Sequence, residues 1–312
     1  MTKSTALILP LVLLGLGLGV LTGCKSSPAS SNEGPAPRPI TDPSYLTADF
    51  WNDGQAEIAF YRVERSRDQY GRDRPQQFMV GTYLVKHRFS PAEMTKTTDG
   101  SGVSAFKYAL FYELESGSYQ YKRNWVVNAR QNDLRPYKQS FTSFDWCSNQ
   151  YRELAFPQDG AVEVRMRSDD YGNRRTSFEA QPQSYPPAQI PILVRGLDAS
   201  AGDTLSFAVV HADSSSHVPA QAVRAGLDSV STGAGTFEAR RVVVTYDAPV
   251  PSPVGEKSAL TETYWVGTDP QRRLLRMQAA SGRYEMGLVE HLRSPYWDEN
   301  IWSRLDRVTE RP

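Results

Sequence analysis

The chain contains 312 residues, and its 35 Lys and Arg residues balance 35 Asp and Glu residues, so the formal net charge is zero. A chain without excess positive charge has no basic surface for nucleic acid, and we expect no nucleic acid among its partners. Hydrophobic residues make up 39% of the chain and charged residues 22%, which excludes wholesale disorder.

The first segment of the chain, Met1–Gly23, has the pattern of an export signal. Lys3 is followed by the apolar run Ala6–Leu21. Its 16 residues are fewer than the about 20 that a membrane-spanning helix needs, and Pro10 interrupts it. A short apolar segment of this kind is typical of a signal peptide that is removed from the mature protein.

The signal ends in Leu21-Thr22-Gly23-Cys24, which resembles the lipobox of bacterial lipoproteins. The resemblance implies that signal peptidase II cuts between Gly23 and Cys24, and that Cys24 carries the lipid. Acyl chains such as palmitate would anchor the protein firmly, since each buried CH₂ contributes about 0.8 kcal/mol. Lys25, by analogy with the sorting rule of some two-membrane bacteria, favours an outer-membrane lipoprotein that faces the periplasm. The alternative is an ordinary secretory signal with an incidental cysteine.

Residues 24–44 are rich in Ser and Pro and poor in apolar side chains, so they are predicted to form a flexible tether behind the lipidated cysteine. Cys147 then has no partner in the mature chain, and no intrachain disulfide is expected. It follows Phe144-Asp145-Trp146 directly. A small buried side chain is therefore the simpler interpretation of Cys147, and a reactive thiol is the alternative.

Beyond the tether, apolar and polar residues alternate, as expected for β-strands with one buried face. The clearest run is Phe106–Leu114, where five apolar side chains share one face and Lys107 and Glu113 lie on the other. Turns rich in Gly, Asp and Ser separate such runs. Helical periodicity is nearly absent, and Gln189–Leu197 is the main candidate for a short helix.

We therefore predict an all-β protein. An antiparallel meander forms a large curved sheet or an open β-barrel, as one unit or as two packed halves, with little helix. The Pro-rich stretch Gln181–Pro187 is the best boundary, which separates an N-terminal β half, 45–180, from a C-terminal β half, 181–312. The aromatic tail Tyr296–Trp302 is predicted to cap the open end of the sheet.

Three motifs in the N-terminal half, Phe50–Glu57, Tyr70-Gly71 and Thr142–Cys147, have a familiar pattern. Together they resemble a family of uncharacterised bacterial outer-membrane lipoproteins, some of which carry the label septum formation inhibitor. This chain has Asp145 where that family usually has Glu, and Gln69 where it has Arg. The resemblance implies an envelope location but no established activity.

The C-terminal half contains a second set of motifs, Ala234–Ala239, Tyr264–Val266 and Leu274–Met277. These resemble periplasmic β-proteins of unknown function, with a distant similarity to the half-barrels of lipoprotein carriers. Neither family brings a catalytic residue to any position of this chain.

The chain lacks the short motifs of common enzymes, such as Gly-x-Ser-x-Gly, His-Glu-x-x-His or a phosphate-binding loop. His211, Asp213 and His217 could approach one metal ion, but a solvated hairpin tip through Ser214–Ser216 is the simpler interpretation. The adjacent carboxylates Asp169-Asp170 fall at a predicted turn. We therefore predict no enzyme activity, no catalytic residue, no cofactor and no metal ligand.

Aromatic residues crowd two neighbouring predicted strands, where core packing is their simplest role and a cavity or stacking surface is the alternative. They are Tyr108, Phe111, Tyr112, Tyr119, Tyr121 and Trp125. The leading hypothesis is a non-enzymatic envelope lipoprotein, attached to the membrane by its lipid, that binds an apolar, lipid-like ligand or an envelope partner. The second is a structural or assembly factor that docks a partner protein. The third is an envelope hydrolase with an unrecognised site.

The interior of the sheet separates the first two hypotheses. An enclosed apolar volume on the order of several hundred Å³ would favour a ligand. A filled interior combined with an apolar outer patch would favour docking.

Overall fold

The computed structural model describes residues 39–69, 72–116, 119–146, 148–158, 160–255, 258–295, 297–298 and 300–309. The predicted signal peptide, Cys24, the tether up to residue 38, Tyr70-Gly71 and Cys147 lie outside the described residues.

Sixteen β-strands and three short α-helices are found in the described chain. The strands are β1 (Ala56–Gln69), β2 (Arg72–Ser90), β3 (Thr95–Lys96), β4 (Val103–Ser116), β5 (Tyr119–Arg130), β6 (Pro136–Phe144), β7 (Asn149–Ala155), β8 (Ala161–Ser168), β9 (Arg174–Glu179), β10 (Ser184–Tyr185), β11 (Thr204–His211), β12 (Ser216–Thr232), β13 (Gly235–Val250), β14 (Ala259–Gly267), β15 (Leu274–Ala279) and β16 (Tyr284–Ser294). The helices are α1 (Pro43–Leu46), α2 (Ile190–Arg195) and α3 (Ile301–Thr309), and short 3₁₀ turns span Asp49–Asn52, Pro187–Gln189 and Ala199–Ala201.

All sixteen strands belong to one sheet, in which most chain neighbours are also sheet neighbours. The hydrogen-bonded order runs from β10 to β16, continues with β1, β2 and β4, and ends at β9, while β3 pairs with β2. The pairing of β10 with β11 is parallel, and the other strand pairs are antiparallel. Within the described chain no pairing joins β9 to β10, so the sheet stays open. The predicted all-β, mainly antiparallel architecture with little helix is confirmed.

The last strand of the sheet pairs with the first. Strand β16 runs antiparallel to β1 from the Ala56–Ser294 pair to the Arg65–Tyr284 pair. Strands from both sides of residue 181 therefore lie in one continuous hydrogen-bonded sheet.

The inner face of the sheet, as we call it, is the face that packs on α2. The five alternating apolar residues predicted in Phe106–Leu114 are all buried on this face. Helix α2 lies within the predicted Gln189–Leu197, with Pro191 in its first turn, where no backbone donor is lost, and Gly196 at its end. All six residues of α2 are buried. The helix thus provides much of the hydrophobic core that the curved sheet encloses.

The opposite, outer face carries a second apolar cluster covered by α3. Ile58 and Phe60 of β1 and Phe111 of β4 pack with Leu305 and Val308 of the helix. The aromatic tail was predicted to cap the open end of the sheet, but the chain from residue 301 lies on this outer face instead. The reason is that the central strands carry apolar residues on both faces. The apolar residues of the outer face are therefore buried by packing against a helix.

Ordered packing begins earlier than the boundary at residue 45 that the sequence suggested. Ile40 and Leu46 belong to the main core, and Thr41 forms a β-bridge with Leu197. The Asp42 side chain caps α1 by accepting from the backbone of Ser44 at 3.0 Å. The last residues assigned to the tether, 40–44, are therefore part of the folded body.

Candidate functional site

The space inside the curved sheet is filled by protein. Ile190 and Leu193 of α2 belong to one core cluster with inner-face residues of β1, β2, β4, β5 and β11–β16. An enclosed cavity beside Leu110 and Met286 has a volume of about 10 Å³. That volume holds about one water molecule, whereas ligand pockets measure about 300–1,000 Å³. This interior cavity is therefore too small for a lipid-like ligand.

The residues of the first family motif stabilise the fold. Trp51 is buried, and its Nε1 donates to the carbonyl of Tyr45 at 3.0 Å. Glu57 forms a buried ion pair with Arg195 of α2, with an oxygen–nitrogen distance of 2.7 Å. Burial alone would raise the pKa of Glu57, but the charge of Arg195 and its hydrogen bonds lower the pKa to about 2. Glu57 is therefore a structural residue rather than part of a binding surface.

An open groove lies on the outer face beside α3. Its floor is Phe111 of β4, which is the register partner of Gly81 in β2. A Cβ atom at Gly81 would come within 2.5 Å of the Phe111 ring, so the absence of a side chain lets the ring lie across β2. This outer groove, as we call it, is lined by Tyr83, Phe111, Tyr112, Lys122, Arg123, Asn124, Thr142, Phe144, Asn300, Ile301 and Trp302.

Two half-exposed aromatic side chains flank the floor of the outer groove. The ring of Trp302 in α3 lies 4.9 Å from that of Phe111, between centroids, and Trp302 is 46% exposed. Phe144 of β6 is 51% exposed. The groove between them has a volume of about 680 Å³. It therefore presents a concave apolar surface of the size at which small ligands or anchoring side chains bind.

Polar groups border this apolar surface. Asn124 of β5 and Thr142 of β6 are register partners on the same face, and Asn300 precedes α3. Lys122 lies next along β5 and pairs with Glu113 at 2.7 Å. The outer groove thus combines an aromatic floor with amide and hydroxyl groups and a cation, as protein-binding sites do at the border between core and rim.

Exposed aromatic rings continue beyond the groove along the same strands. Trp146, two residues after the end of β6, is 77% exposed, and its ring lies 6.4 Å from that of Tyr119 in β5. In contrast, Tyr112 and Trp125 from the predicted aromatic set pack against the filled interior. Of the predicted aromatic set, Tyr112 and Trp125 therefore pack in the core, Phe111 forms the floor of the outer groove, and Tyr119 is 40% exposed.

A second open basin, with a volume of about 1,240 Å³, contains the carboxylates of Glu153 and Glu163. Glu153 accepts from the hydroxyl of Tyr151 at 2.7 Å and lies 3.8 Å from Lys138. Glu163 accepts from Arg165 at 2.8 Å. Both carboxyl groups in this basin therefore already have hydroxyl or cationic side-chain partners.

The three residues considered as alternative metal ligands have other partners. Asp213 lies 3.2 Å from Arg152, and His211 Nδ1 lies 3.0 Å from the hydroxyl of Ser214. The ring of His217 packs edge-on against an aromatic side chain. Across the described ranges, no group of three or more His, Cys, Asp or Glu side chains could hold a metal ion.

The remaining predicted site residues are those of the lipobox and the Asp169-Asp170 turn. Gly23 and Cys24 lie outside the described residues, so cleavage and lipidation there stay predictions. Asp169 and Asp170 do lie in a turn after β8, and Asp169 accepts from the backbone of Asn149 at 2.8 Å. None of the helices in the described chain has the length and hydrophobicity needed to cross a membrane.

The outer groove was not predicted from the sequence. Its floor and its flanks come from β2, β4, β5, β6 and α3, and Trp302 is far from Phe111 in the chain. One local signal existed: Gly81 lies inside β2, and a glycine inside a strand often marks a close approach by another group. That signal identifies the crowded position but not the ring that crosses it.

Comparisons with known proteins leave the family open. No family model matches the chain, and no curated protein matches it. Among solved structures, the chain is similar to a β-barrel-like protein of a domain of unknown function from Brucella abortus. The TM-score is 0.49 at 9% identity, and the match covers 76% of this chain and 97% of that one. The function of that protein is itself unknown, so the two lipoprotein-like resemblances stay predictions from their motifs.

Proposed function

We propose that this protein is a non-enzymatic, lipid-anchored protein of the cell envelope that binds a partner protein in the outer groove. The lipobox supports a lipid on Cys24 and an outer-membrane location facing the periplasm. One observation carries the binding role: Phe144 and Trp302 are half-exposed on either side of Phe111, in a molecule whose interior is filled.

The groove favours a protein segment over a lipid chain. An acyl chain lying in an open groove would keep much of its surface in contact with water. The hydrophobic contribution to its binding free energy would therefore be small. A protein segment can place apolar side chains between the rings while its peptide groups bond to Asn124, Thr142 and Asn300. Lys122 is already paired with Glu113, but Arg123 also lines the groove and adds a cation that suits an acidic residue of the partner. The partner segment should therefore combine apolar anchors with a carboxylate.

The two other hypotheses receive less support. A lipid-like ligand in the interior would need far more volume than the about 10 Å³ found there. A hydrolase of the two-carboxylate type would need a proton donor, and Glu153 and Glu163 each lie beside cations.

Photo-cross-linking in living cells tests the binding role. A benzophenone amino acid at position 144 reports on the outer groove. The same group at position 297 is the control, because Trp297 is 63% exposed and does not line the groove. We expect position 144 to capture one protein through an apolar, acidic segment, and position 297 to capture none. Lipid adducts at position 144, or equal adducts at both positions, would contradict the proposal.

A labelled fatty acid tests the anchor separately. Cells grown with the label should incorporate it into the wild-type chain and not into the Cys24→Ala variant, which should also leave the membrane fraction. A variant that stays labelled and membrane-bound would contradict lipidation at Cys24.

A further inference from the structure

An open cavity lies at the place where the sheet stays open. Strand β9 ends at Glu179 and β10 begins at Ser184, and the connection between them lines a cavity of about 530 Å³. This seam cavity, as we call it, shares no described lining residue with the outer groove. Its volume lies in the range of about 300–1,000 Å³ that is typical of small-ligand sites.

Backbone hydrogen bonds hold the connection that lines the seam cavity. The amide of Ala180 donates to the carbonyl of Gly160 at 2.7 Å, next to β8. The carbonyl of Gln183 accepts from the amide of Ala208 in β11 at 3.0 Å. The connection is thus fixed at both of its ends, and the cavity between them is open, so a ligand can enter it without displacing any segment of the chain.

A buried tyrosine hydroxyl beside the seam cavity has no hydrogen-bond partner among the described residues. Tyr185 of β10 lines the cavity and is 3% exposed. Burial first, and then the charge of Asp133, raise the pKa of Tyr185, so its hydroxyl stays neutral and can both donate and accept. A buried polar group without a partner destabilises a folded chain, and a ligand with a matching hydroxyl group would remove that cost.

The seam cavity also carries a positive charge. Its described lining contains Arg130 and Arg135 and no carboxylate. Arg130 is paired with Asp133, which accepts from its Nε at 2.8 Å. Arg135 is exposed, and its guanidinium group forms no ion pair with any side chain that the structure describes. Arg135 is therefore free to pair with an anionic group of a ligand, and guanidinium groups bind carboxylates through two parallel hydrogen bonds.

Flat apolar side chains and amide groups complete the lining. The cavity is bordered by the rings of Tyr137 and Phe156 and by the amides of Gln158 and Gln181. The ring of Tyr137 is held in place by stacking on Phe89, with 5.1 Å between centroids. A saccharide ring has C–H faces that pack on flat apolar side chains and hydroxyl edges that bond to amides and hydroxyls. The lining offers both kinds of contact.

We propose that the seam cavity binds an acidic saccharide. The carboxylate of the sugar pairs with Arg135, a ring hydroxyl bonds to Tyr185, and the ring faces pack on the flat side chains. A neutral sugar would leave Arg135 without its partner, and a carboxylate without ring hydroxyls would leave Tyr185 without one, so both should bind more weakly. The site does not rest on the proposed role of the outer groove.

Two disaccharides of the same linkage test the charge contact. Digalacturonate carries carboxylates where galactobiose carries hydroxymethyl groups. Their dissociation constants can be measured by calorimetry on the full chain carrying Cys24→Ala, which avoids the lipid. We expect digalacturonate to bind at least about tenfold more tightly than galactobiose, and Arg135→Gln to remove that preference.

Arg307→Gln is the matched control for the charge contact, because Arg307 is an exposed arginine of α3 that does not line the cavity. It should leave the preference for digalacturonate unchanged. Equal affinities in the parent chain, a failure of both disaccharides to bind, or an equal loss of preference in the two variants would overturn the proposal.

A second variant tests the hydroxyl contact. Tyr185→Phe keeps the ring, so both disaccharides should bind about three- to tenfold more weakly, while the preference between them persists. Adipate, a dicarboxylate without ring hydroxyls, should bind the variant and the parent equally. The urea midpoint should not fall, because the hydroxyl has no described partner to lose. Unchanged disaccharide affinities, an equal loss for adipate or a lower midpoint would overturn the role of Tyr185.

Discussion

Glu57 and Arg195 form a bidentate ion pair that joins the first strand to the helix inside the sheet. Arg195 Nη1 and Nη2 donate to the two carboxylate oxygens at 2.8 and 2.7 Å. Arg195 Nε also donates to the carbonyl of Arg272 at 2.7 Å. Strand β1, helix α2 and the turn before β15 are therefore held together by one guanidinium group, whose planar arrangement of donors suits a bidentate carboxylate contact.

Removing one partner of this pair should destabilise the fold strongly. Glu57→Gln leaves the guanidinium charge buried and unpaired, so the free energy of unfolding should fall by about 3–5 kcal/mol, measured by urea unfolding. Glu113→Gln is the control, since its pair with Lys122 is solvent-exposed, and it should cost less than about 1 kcal/mol. Equal losses in the two variants would show that the buried pair has no special role.

The same pair should make stability depend on acid pH. The pKa of Glu57 is lowered to about 2 in the folded chain, so the unfolded chain takes up the proton at higher pH than the folded chain does. The stabilisation is therefore complete above about pH 5 and is lost as the pH falls towards 2. Urea midpoints measured from pH 6 to pH 2.5 should fall more steeply in the wild type than in Glu57→Gln. Parallel profiles would contradict this prediction.

The hydroxyls of Tyr246, Tyr264 and Tyr284 donate to the buried carboxyl group of Glu262 in β14. This tyrosine cluster should make stability depend on alkaline pH. The pKa values of Tyr246, Tyr264 and Tyr284 are raised in the folded chain, while unfolded tyrosine ionises at about pH 10. The stabilisation is complete below that value and is lost as the pH rises above it, because only the unfolded chain releases these protons.

Absorbance at 295 nm measures tyrosine ionisation, and circular dichroism recorded on the same sample measures unfolding. Together they test whether the two processes occur at the same pH. The buried tyrosines should ionise only as the chain unfolds, and Tyr264→Phe should lose stability less steeply above pH 10. Reversible ionisation of these tyrosines in a chain that stays folded would contradict the predicted coupling between their ionisation and unfolding.

Several features of the fold were predictable because they depend on local periodicity. The alternation through Phe106–Leu114 identified the buried face of β4, and Pro191 and Gly196 limited the helix that the structure places at Ile190–Arg195. The family motif drew attention to Glu57. Its partner is 138 residues away, so nothing near Glu57 in the chain indicates what it binds.

The candidate sites depend on tertiary contacts that no local pattern contains. The outer groove needs α3 to lie over β4, and the amphipathic character of α3 does not say which strand it covers. Glu262 occupies an inner-face position that an alternating pattern assigns to apolar residues, so the pattern gave no reason to select it. The buried position of Pro253 and Val254 likewise depends on Arg65 and Tyr112, which are distant in sequence.

The floor of the outer groove should depend on the missing side chain at position 81. Gly81→Ala places a methyl group within 2.5 Å of the Phe111 ring, so the ring must move and the chain should lose about 1–3 kcal/mol of stability. Gly287→Ala is the matched control, because a Cβ atom there meets nothing within 4 Å. The fluorescence of Trp302, which contacts Phe111, should change in the first variant alone. Equal stability of the two variants would contradict the close approach.

Hydrogen-exchange mass spectrometry tests the central claim most directly. The exchange of the full-length protein in its own membranes is compared with that of the purified protein. If a partner occupies the outer groove, peptides from β5, β6 and α3 should exchange more slowly in the membranes, while those from β11 and β12 should not change. Equal exchange of β5, β6 and α3 in the two samples, or protection confined to other strands, would contradict the account.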